Sequence, residues 1–300
     1  MLAHGSAQRS LTIAAHPTDT PARPSRAPLL VSSIALVEDL HSPGVSTRTP
    51  PEDYSAAFQV CFPYSGFFTW HVGHDRVLGD PNQVLFVKAG EAFRVSQQRY
   101  SDFAELIVTL RPPLVAELLH TDEQRLTDHA LFTTRFRFAD PSLQRARSYF
   151  LHGLRNGVSE HVAAEETMIA LLQGALMVPA LRPRASISTA RLVARTKEFL
   201  AARFNTPVQL GEVASHVGVS PAYLTTVFCR SEGVPVHRYL TQLRLAQALL
   251  ELPHATDLTT LALELGFGNH SHFTATFRRA FGCTPSAFRQ RTRQTHSHHH

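Results

Sequence analysis

The strongest constraint on this chain is a helical pattern that occurs twice between Val208 and Arg291. Each copy has four apolar residues at the spacing i, i+3, i+4 and i+7, and a glycine follows at once. These residues are Leu210, Val213, Ala214, Val217 and Gly218 in the first copy, and Leu258, Leu261, Ala262, Leu265 and Gly266 in the second. Apolar side chains at this spacing share one face of an α-helix, and glycine commonly ends a helix. The sequence therefore predicts two short amphipathic helices, each ending in a tight turn.

A second helix is predicted after each turn. Its buried pair is Leu224 and Phe228 in the first copy, and Phe273 and Phe277 in the second. Ser220 is a suitable N-cap for the first of these helices, and Pro221 suits its first helical position. Helix, tight turn and helix make up the helix-turn-helix pattern, whose second helix can lie in the major groove of DNA.

Charge is distributed unevenly along the chain. From Ile187 onward, basic residues are twice as numerous as acidic residues, whereas the preceding part is almost neutral. A basic surface attracts phosphate groups. The composition therefore favours a nucleic-acid-binding unit at the C-terminal end, attached to a unit with another task.

The N-terminal part is predicted to be a leader followed by short strands. Residues 1–27 are rich in Pro, Ser, Thr, Ala and Arg and have no periodicity, which is typical of a disordered leader. Short β-branched and aromatic runs then alternate with turn-forming residues. These runs are Leu29–Val37, Ala57–Phe62, Gly66–Val72, Gln83–Ala89, Ala92–Ser96 and Ala104–Leu110. Many short strands with regular turns predict a small antiparallel β sandwich or barrel over residues 28–112.

Helical sequence begins after this sheet region. Residues 113–178 are predicted to form helices, one of them starting at Asp140-Pro141, and to supply a dimer contact, since a long apolar helix invites a symmetric interface. Residues 179–186 are a predicted linker, residues 187–292 a double helix-turn-helix domain, and residues 293–300 a disordered His-rich tail. The predicted fold class is α+β with two domains.

A spaced pattern in the C-terminal part carries a family resemblance. It comprises Leu243-Arg244-Leu245-Ala246-Gln247-Ala248-Leu249-Leu250, Leu261-Ala262, Gly266-Phe267, His272-Phe273, Phe277-Arg278, Phe281-Gly282, Thr284-Pro285-Ser286 and Phe288-Arg289. This pattern resembles the signature of AraC/XylS-type transcription regulators. The earlier strands, including Gly66-Phe67-Phe68 and Asp80-Pro81-Asn82-Gln83-Val84-Leu85-Phe86, are similar in style to the cupin-like sensor domains that precede that module. The resemblance implies two helices that enter successive major grooves, about 34 Å apart.

Outward-facing residues of the two second helices are the predicted DNA contacts. They are Pro221, Ala222, Thr225, Thr226 and Arg230 in the first motif, and Asn269, His270, Ser271, Thr274, Ala275, Arg278 and Arg279 in the second. Ala222, Thr225 and Thr226 have no long arm for a bidentate contact to guanine, so they suit thymine methyl groups and hydroxyl contacts. In the second set, Asn269 and His270 are suited to bases.

The arginines are better assigned to phosphates, together with Arg238 and Arg289. Arg244 is predicted to be structural. The alternatives for the predicted contacts are solvated threonines, a surface arginine pair, and a His270 that only caps its helix.

Trp70 is the candidate ligand-binding residue of the N-terminal part. Phe68, Trp70 and Val72 share one strand face, which suits either an apolar ligand pocket or plain barrel core. His71 and His74 are metal-ligand types, but the sequence places no third ligand beside them. A nucleophile elbow, a phosphate-binding glycine loop and paired helix ligands are missing from the sequence, so we predict no catalytic site, metal site or cofactor. The chain's three cysteines are too few for a disulfide framework.

These features lead to one leading hypothesis: a regulator that binds specific double-stranded DNA sequences under the control of a small-molecule effector. We expect a homodimer, with RNA polymerase as a further partner, and no membrane partner because no apolar run approaches about 20 residues. The expected location is cytoplasmic, on the nucleoid. Two alternatives stay open: a ligand-independent regulator whose N-terminal domain only dimerises or docks a partner, and a metal-dependent cupin enzyme fused to a DNA-binding module.

Overall fold

The computed structural model describes residues 24–43, 52–97, 102–128, 135–157, 160–176 and 186–294. Within these ranges two antiparallel sheets come first and helices follow. The strands are β1 (Ser25–Val31), β2 (Ala35–Ser42), β3 (Asp53–Tyr54), β4 (Phe58–Gly66), β5 (Phe68–Val72), β6 (Asp75–Gly79), β7 (Gln83–Val87), β8 (Ala92–Ser96), β9 (Phe103–Leu110) and β10 (Phe136–Phe138). The six-stranded sheet has the order β1-β2-β9-β4-β7-β10, and the four-stranded sheet has the order β3-β8-β5-β6.

Eleven helical segments lie among the described residues. They are α1 (Pro112–Leu119), a 3-10 turn (Glu123–Asp128), α2 (Pro141–Arg155), α3 (His161–Leu176), α4 (Ile187–Ala202), α5 (Leu210–Val217), α6 (Pro221–Glu232), α7 (Val236–Glu251), α8 (Leu258–Glu264), α9 (His270–Phe281) and α10 (Pro285–Gln294). None of the helices in this part of the chain is long and apolar enough to cross a membrane.

The N-terminal region has two apolar cores, one on each side of the six-stranded sheet. One lies between the two sheets and includes Trp70 and Ile107. The other lies between the six-stranded sheet and α2 and α3, where Phe62, Phe150 and Met168 meet. Because both faces of the sheet are covered, β4 and β9 read as almost continuous apolar runs rather than as alternating ones.

The C-terminal region also has two cores, and α7 contributes to both. The first half of α7, from Val236 to Leu243, packs with α4, α5 and α6. Its second half, from Leu245 onward, packs with α8, α9 and α10. The α7 rod is about 24 Å long at 1.5 Å per residue, so it holds the two helix-turn-helix motifs at a fixed separation.

The α+β fold class is confirmed, but several predicted boundaries are wrong. The leader predicted over 1–27 is wrong at its C-terminal end, because Ser25, Arg26 and Ala27 pair with β2 in an antiparallel ladder. The rest of the predicted leader, residues 1–23, lies outside the described residues. The run Leu29–Val37 is two strands, since a turn at Ser32 separates β1 from β2.

Residues 113–178 are not a purely helical segment. Phe136–Phe138 pairs with β7 at the edge of the sheet, and three residues are too few to show alternation. The apolar side of α3 (Met168, Leu171, Leu172 and Ala175) is buried against the chain's own sheet. Those four side chains therefore do not face a partner, and the dimer contact predicted for residues 113–178 stays a prediction.

The C-terminal boundary at residue 292 is also early. The last helix continues to Gln294, because Arg293 donates to the carbonyls of Pro253 and Ala255 at 3.0 and 2.9 Å. The rest of the predicted His-rich tail, and the predicted linker up to residue 185, lie outside the described residues.

Candidate nucleic-acid interface

The first helix-turn-helix motif consists of α5 and α6. Gly218 ends α5 in the left-handed conformation, with φ +78°, and its N–H donates to Ala214. Ser220 then caps α6, because its hydroxyl accepts from the Tyr223 N–H at 3.3 Å. Leu224 and Phe228 are fully buried, so the opposite side of α6 faces solvent.

Most side chains on the solvent side of α6 are small. All five predicted contact residues of this helix are exposed: Pro221, Ala222, Thr225, Thr226 and Arg230. The Thr225 hydroxyl donates to the Pro221 carbonyl at 2.9 Å, and the Thr226 hydroxyl donates to the Ala222 carbonyl at 3.0 Å. Each threonine thus uses its only hydroxyl proton within the helix, so toward a partner it offers a methyl group and an acceptor oxygen.

Tyr223 is a surface residue of α6 that the sequence reasoning missed. Tyr223 is 54% exposed, which is a large exposure for an aromatic residue. Its position between Ala222 and the buried Leu224 is the signal that could have found it, because it borders the predicted contact face.

The second motif consists of α8 and α9. Asn269 is the N-cap of α9, since its side-chain oxygen accepts from the His272 N–H at 2.8 Å. The helix cap is therefore Asn269, and the alternative role of His270 as a cap is wrong. His270 and Thr274 are half-buried and lie one turn apart, with Nε2 and Oγ1 at 3.4 Å.

The other predicted contact residues of the second motif are exposed: Asn269, Ser271, Ala275, Arg278 and Arg279. Phe273, Phe277 and Phe281 are buried on the opposite side of α9. The amide oxygen of Asn269 already accepts one hydrogen bond as the cap, so toward an outside partner the side chain offers its NH2 donors and one remaining lone pair. This face offers donors and two arginines, in contrast to the methyl groups of α6.

Two further arginines are structural. Arg244 donates to the carbonyls of Phe204 and Thr206 at 2.6 and 2.9 Å, which agrees with the structural role expected for it. Arg289 donates to the carbonyls of Ala255 and Thr256 at 3.1 and 3.2 Å. Its Nη1 atom thus satisfies carbonyls in the turn that follows α7, where helical hydrogen bonds have ended, and the phosphate contact predicted for Arg289 stays a prediction.

A buried polar cluster joins the sheets to the first motif. We call Asp80, Lys197, Glu232 and Tyr239 the interdomain cluster. The Lys197 Nζ lies 3.6 Å from Asp80 Oδ2 and 3.5 Å from Glu232 Oε2, and all four residues are buried. The Tyr239 hydroxyl donates to Asp80. Burial, followed by the nearby Asp80 charge, raises the pKa of Tyr239, so this hydroxyl stays protonated and available as a donor.

The interdomain cluster connects sequence positions that no local pattern links. Asp80 lies in the turn between β6 and β7, whereas Glu232 is the last residue of α6. Asn82, in the same turn, donates to the Tyr239 carbonyl at 3.3 Å. A shift of this turn would therefore reach Glu232, at the C-terminal end of α6, through one intervening residue, Lys197.

The remaining sequence candidates lie in or beside the sheets. Trp70 is buried in the core between the sheets, with its ring 6.1 Å from that of Phe93. The His71 Nε2 lies 2.6 Å from the Ser96 hydroxyl, and its pKa is lowered, chiefly by burial. Among the described residues no three His, Cys, Asp or Glu side chains converge in a way that would hold a metal ion.

Comparison with known proteins gives a family match in the C-terminal part and similarity to several transcription regulators. The family described as "Helix-turn-helix domain" matches residues 213–291. Regulatory protein PocR of Salmonella typhimurium is 31% identical over 93 residues, which is 31% of each chain. The HTH-type transcriptional activator RhaR of Escherichia coli is 29% identical over 143 residues, which is 45% of this chain and 51% of that protein. The matched part thus spans about half or less of these relatives.

A solved structure of a transcriptional regulator from Chromobacterium violaceum, described as an AraC-type DNA-binding domain-containing protein, is 27% identical. It covers 35% of this chain and 94% of its own, with a TM-score of 0.33. The family match coincides with the two motifs seen in the fold. Residues 213–291 are therefore a helix-turn-helix domain, similar in sequence to parts of known bacterial transcription regulators.

Proposed function

We propose that the chain is a transcription regulator that binds specific double-stranded DNA through α6 and α9. The observation that carries this proposal is the arrangement of the two helices. Each helix buries one side in its own core and faces solvent with the other side. The two cores share α7, which contributes one half to each. Two solvent-facing helices fixed on one rod suit two adjacent major grooves. The regulator names of the relatives support this function and give no support for an enzyme.

The two helices are proposed to read DNA differently. On α6, the methyl groups of Ala222, Thr225 and Thr226 suit the C5-methyl group of thymine. On α9, His270 and Ser271 suit hydrogen bonds to base edges. Arg230, Arg278 and Arg279 are proposed phosphate contacts, which give affinity and register but little sequence information.

Regulation is proposed to run through the interdomain cluster. A small-molecule effector bound between the two sheets would shift the turn that carries Asp80, and this turn contacts Lys197 and Tyr239 behind α6. The coupling free energy equals the difference between the effector's binding free energies for the two positions of this turn. Homodimer formation and a contact with RNA polymerase complete the proposal.

The test begins with selection of bound sequences from random DNA, followed by fluorescence-polarisation titration of the selected duplex. We expect nanomolar affinity that falls steeply as salt rises, because several phosphates are neutralised. Thr225→Glu should reduce the affinity at least a hundredfold, since it puts a carboxylate against the duplex.

The matched control is Thr167→Glu on α3. Thr167 is an exposed helical threonine whose hydroxyl also donates to the carbonyl four residues earlier, at 2.8 Å. It lies in the N-terminal region, so its substitution should leave DNA affinity within twofold. Equal effects of the two substitutions, or binding that does not depend on salt, would contradict the proposed interface.

A further inference from the structure

Glu105 is a carboxylic acid placed in the apolar space between the two sheets. It lies on β9 between Phe103 and Ile107, which point to the same side of the strand because side chains alternate. Both neighbours belong to the core between the sheets. Glu105 is itself only 8% exposed, so its carboxyl group lies among the apolar side chains of this core.

The surroundings of Glu105 give it little compensation. Its cross-strand neighbours are Leu40 on β2 and Pro63 on β4, neither of which carries a side-chain donor. Its Oε2 atom is buried and has no hydrogen-bond partner among the described residues. Arg26 is the cation that acts on it, but Arg26 already lies 3.8 Å from Glu38. Burial raises the pKa of Glu105 to about 7.

Aromatic rings line the same space. The rings of Phe68 and Phe103 lie 4.2 Å apart, and Trp70 meets Phe93 edge to face. Aromatic faces and an unpaired carboxylate both attract a cation that has left water. An apolar wall around one polar group is also the usual composition of a small-molecule site.

We propose that Glu105 is the polar anchor of the effector site, and that the effector is a small apolar or aromatic molecule carrying an ammonium group. The ammonium donates to the bare Oε2 atom, and the apolar body packs among the rings of Phe68, Trp70 and Phe103. This assignment rests on the effector-controlled part of the proposed function and adds the chemical class of the effector. The rings must give way to admit the ligand, so binding changes the environment of Trp70.

Trp70 makes the test direct because it is the only tryptophan in the chain. The full chain is titrated with 2-phenylethylamine, 2-phenylethanol and 3-phenylpropionate, which are similar in size and differ in charge, while tryptophan emission is recorded. We expect a saturable change with the amine, at least tenfold weaker binding of the alcohol, and no saturable change with the carboxylate.

Substitutions of Glu105 distinguish binding of the ammonium group by its carboxylate from a general effect on core packing. Glu105→Gln should weaken amine binding at least tenfold and leave the alcohol unchanged, whereas Glu105→Asp should give an intermediate loss. Glu117→Gln, an exposed glutamate on α1, is the matched control and should change nothing. Far-ultraviolet circular dichroism confirms that each variant is folded; if Glu105→Gln is not folded, Glu105→Asp decides.

Two results would overturn the assignment: equal binding of the three probes, or no saturable response to 2-phenylethylamine, benzylamine and cyclohexylamine. Its failure is distinct from failure of the proposed function, because DNA affinity is measured separately by polarisation. DNA binding without amine binding removes the effector class only. Amine binding without DNA binding removes the regulator proposal and leaves the site.

Discussion

Replacing Glu105 with glutamine is expected to change how the stability of the protein depends on pH. In the unfolded chain this carboxyl group has its ordinary pKa of 4.5, whereas burial raises the pKa to about 7 in the folded protein. Between these values the folded state binds one proton more than the unfolded state. The free energy of unfolding therefore falls as pH rises through this window, and the loss is complete above about pH 7.

The size of the effect follows from the two pKa values. Each unit of difference is worth about 1.4 kcal/mol, so the buried carboxyl group destabilises the fold by about 3 kcal/mol at high pH. Between about pH 5 and pH 8 the change is about 2.5 kcal/mol by the same linkage. Glutamine has nearly the same shape and does not titrate, so Glu105→Gln should lack this component.

The assay is urea denaturation of the wild type and Glu105→Gln at both pH values, followed by circular dichroism. The new amide N–H lacks a partner, which costs about 1 to 3 kcal/mol at either pH. The quantity to compare is therefore the change with pH, in which this constant cost cancels. Relative to the wild type, the variant should gain about 2.5 kcal/mol from pH 5 to pH 8. Parallel pH dependences for the two proteins would refute the assignment of a buried, weakly compensated carboxyl group.

Four other substitutions test the cores and the interface. Lys197→Met leaves two buried carboxylates without their cation and should lower the free energy of unfolding by about 3 to 5 kcal/mol, measured by urea denaturation. Gly218→Ala adds only left-handed strain, about 1 to 2 kcal/mol. Gly266→Ala should cost about 1 to 3 kcal/mol more in the same assay, because its Cβ would lie 2.8 Å from the Asn205 carbonyl carbon. Arg278→Ala should lower the slope of log affinity against log salt by about 0.9 without changing the selected sequence, as polarisation can show.

For each of these predictions, one outcome would contradict the structural argument. Lys88→Met, at a half-buried lysine of the sheet region, is the control for Lys197→Met, and equal losses would show that the interdomain cluster contributes nothing. Equal costs at the two glycines would contradict the close approach described for Gly266. An unchanged salt slope would show that Arg278 touches no phosphate.

The helix-turn-helix motifs could be predicted because their signals are local. Apolar spacing, a turn glycine and a capping residue all lie within one helix length, and the structure confirms the caps. The Ser220 hydroxyl accepts from the Tyr223 N–H at the start of α6. The same kind of local signal holds outside the motifs, at the start of α2, where the Asp140 carboxylate accepts from the Leu143 N–H at 2.9 Å. Burial of Leu224 and Phe228 follows from the same periodicity.

The interdomain cluster could not be predicted in this way. Asp80, Lys197 and Tyr239 come from a turn and two helices that are distant in sequence, and each residue type is ordinary on a surface. Only the packing of the sheets against α4 and α7 removes them from water. The same reason explains Arg289, whose carbonyl partners depend on where the turn after α7 is placed.

Glu105 did leave a signal in the sequence. In Phe103–Leu110 it is the only charged residue of a run whose other members are apolar or a single threonine. A strand covered on both faces has no solvent side for a carboxylate, so such a residue must be buried. The sequence predicts the strand. It does not predict that both faces of the strand are covered, because the covering depends on how α2 and α3 pack on the sheet.

Hydroxyl-radical footprinting of the selected duplex tests the central claim most directly. The account predicts two protected patches on one side of the duplex, with centres about 10 base pairs apart. Thr225→Glu should remove protection from one patch first, and Ser271→Glu should remove it from the other. A single patch, or two patches that both respond equally to either substitution, would contradict the claim that α6 and α9 occupy successive major grooves.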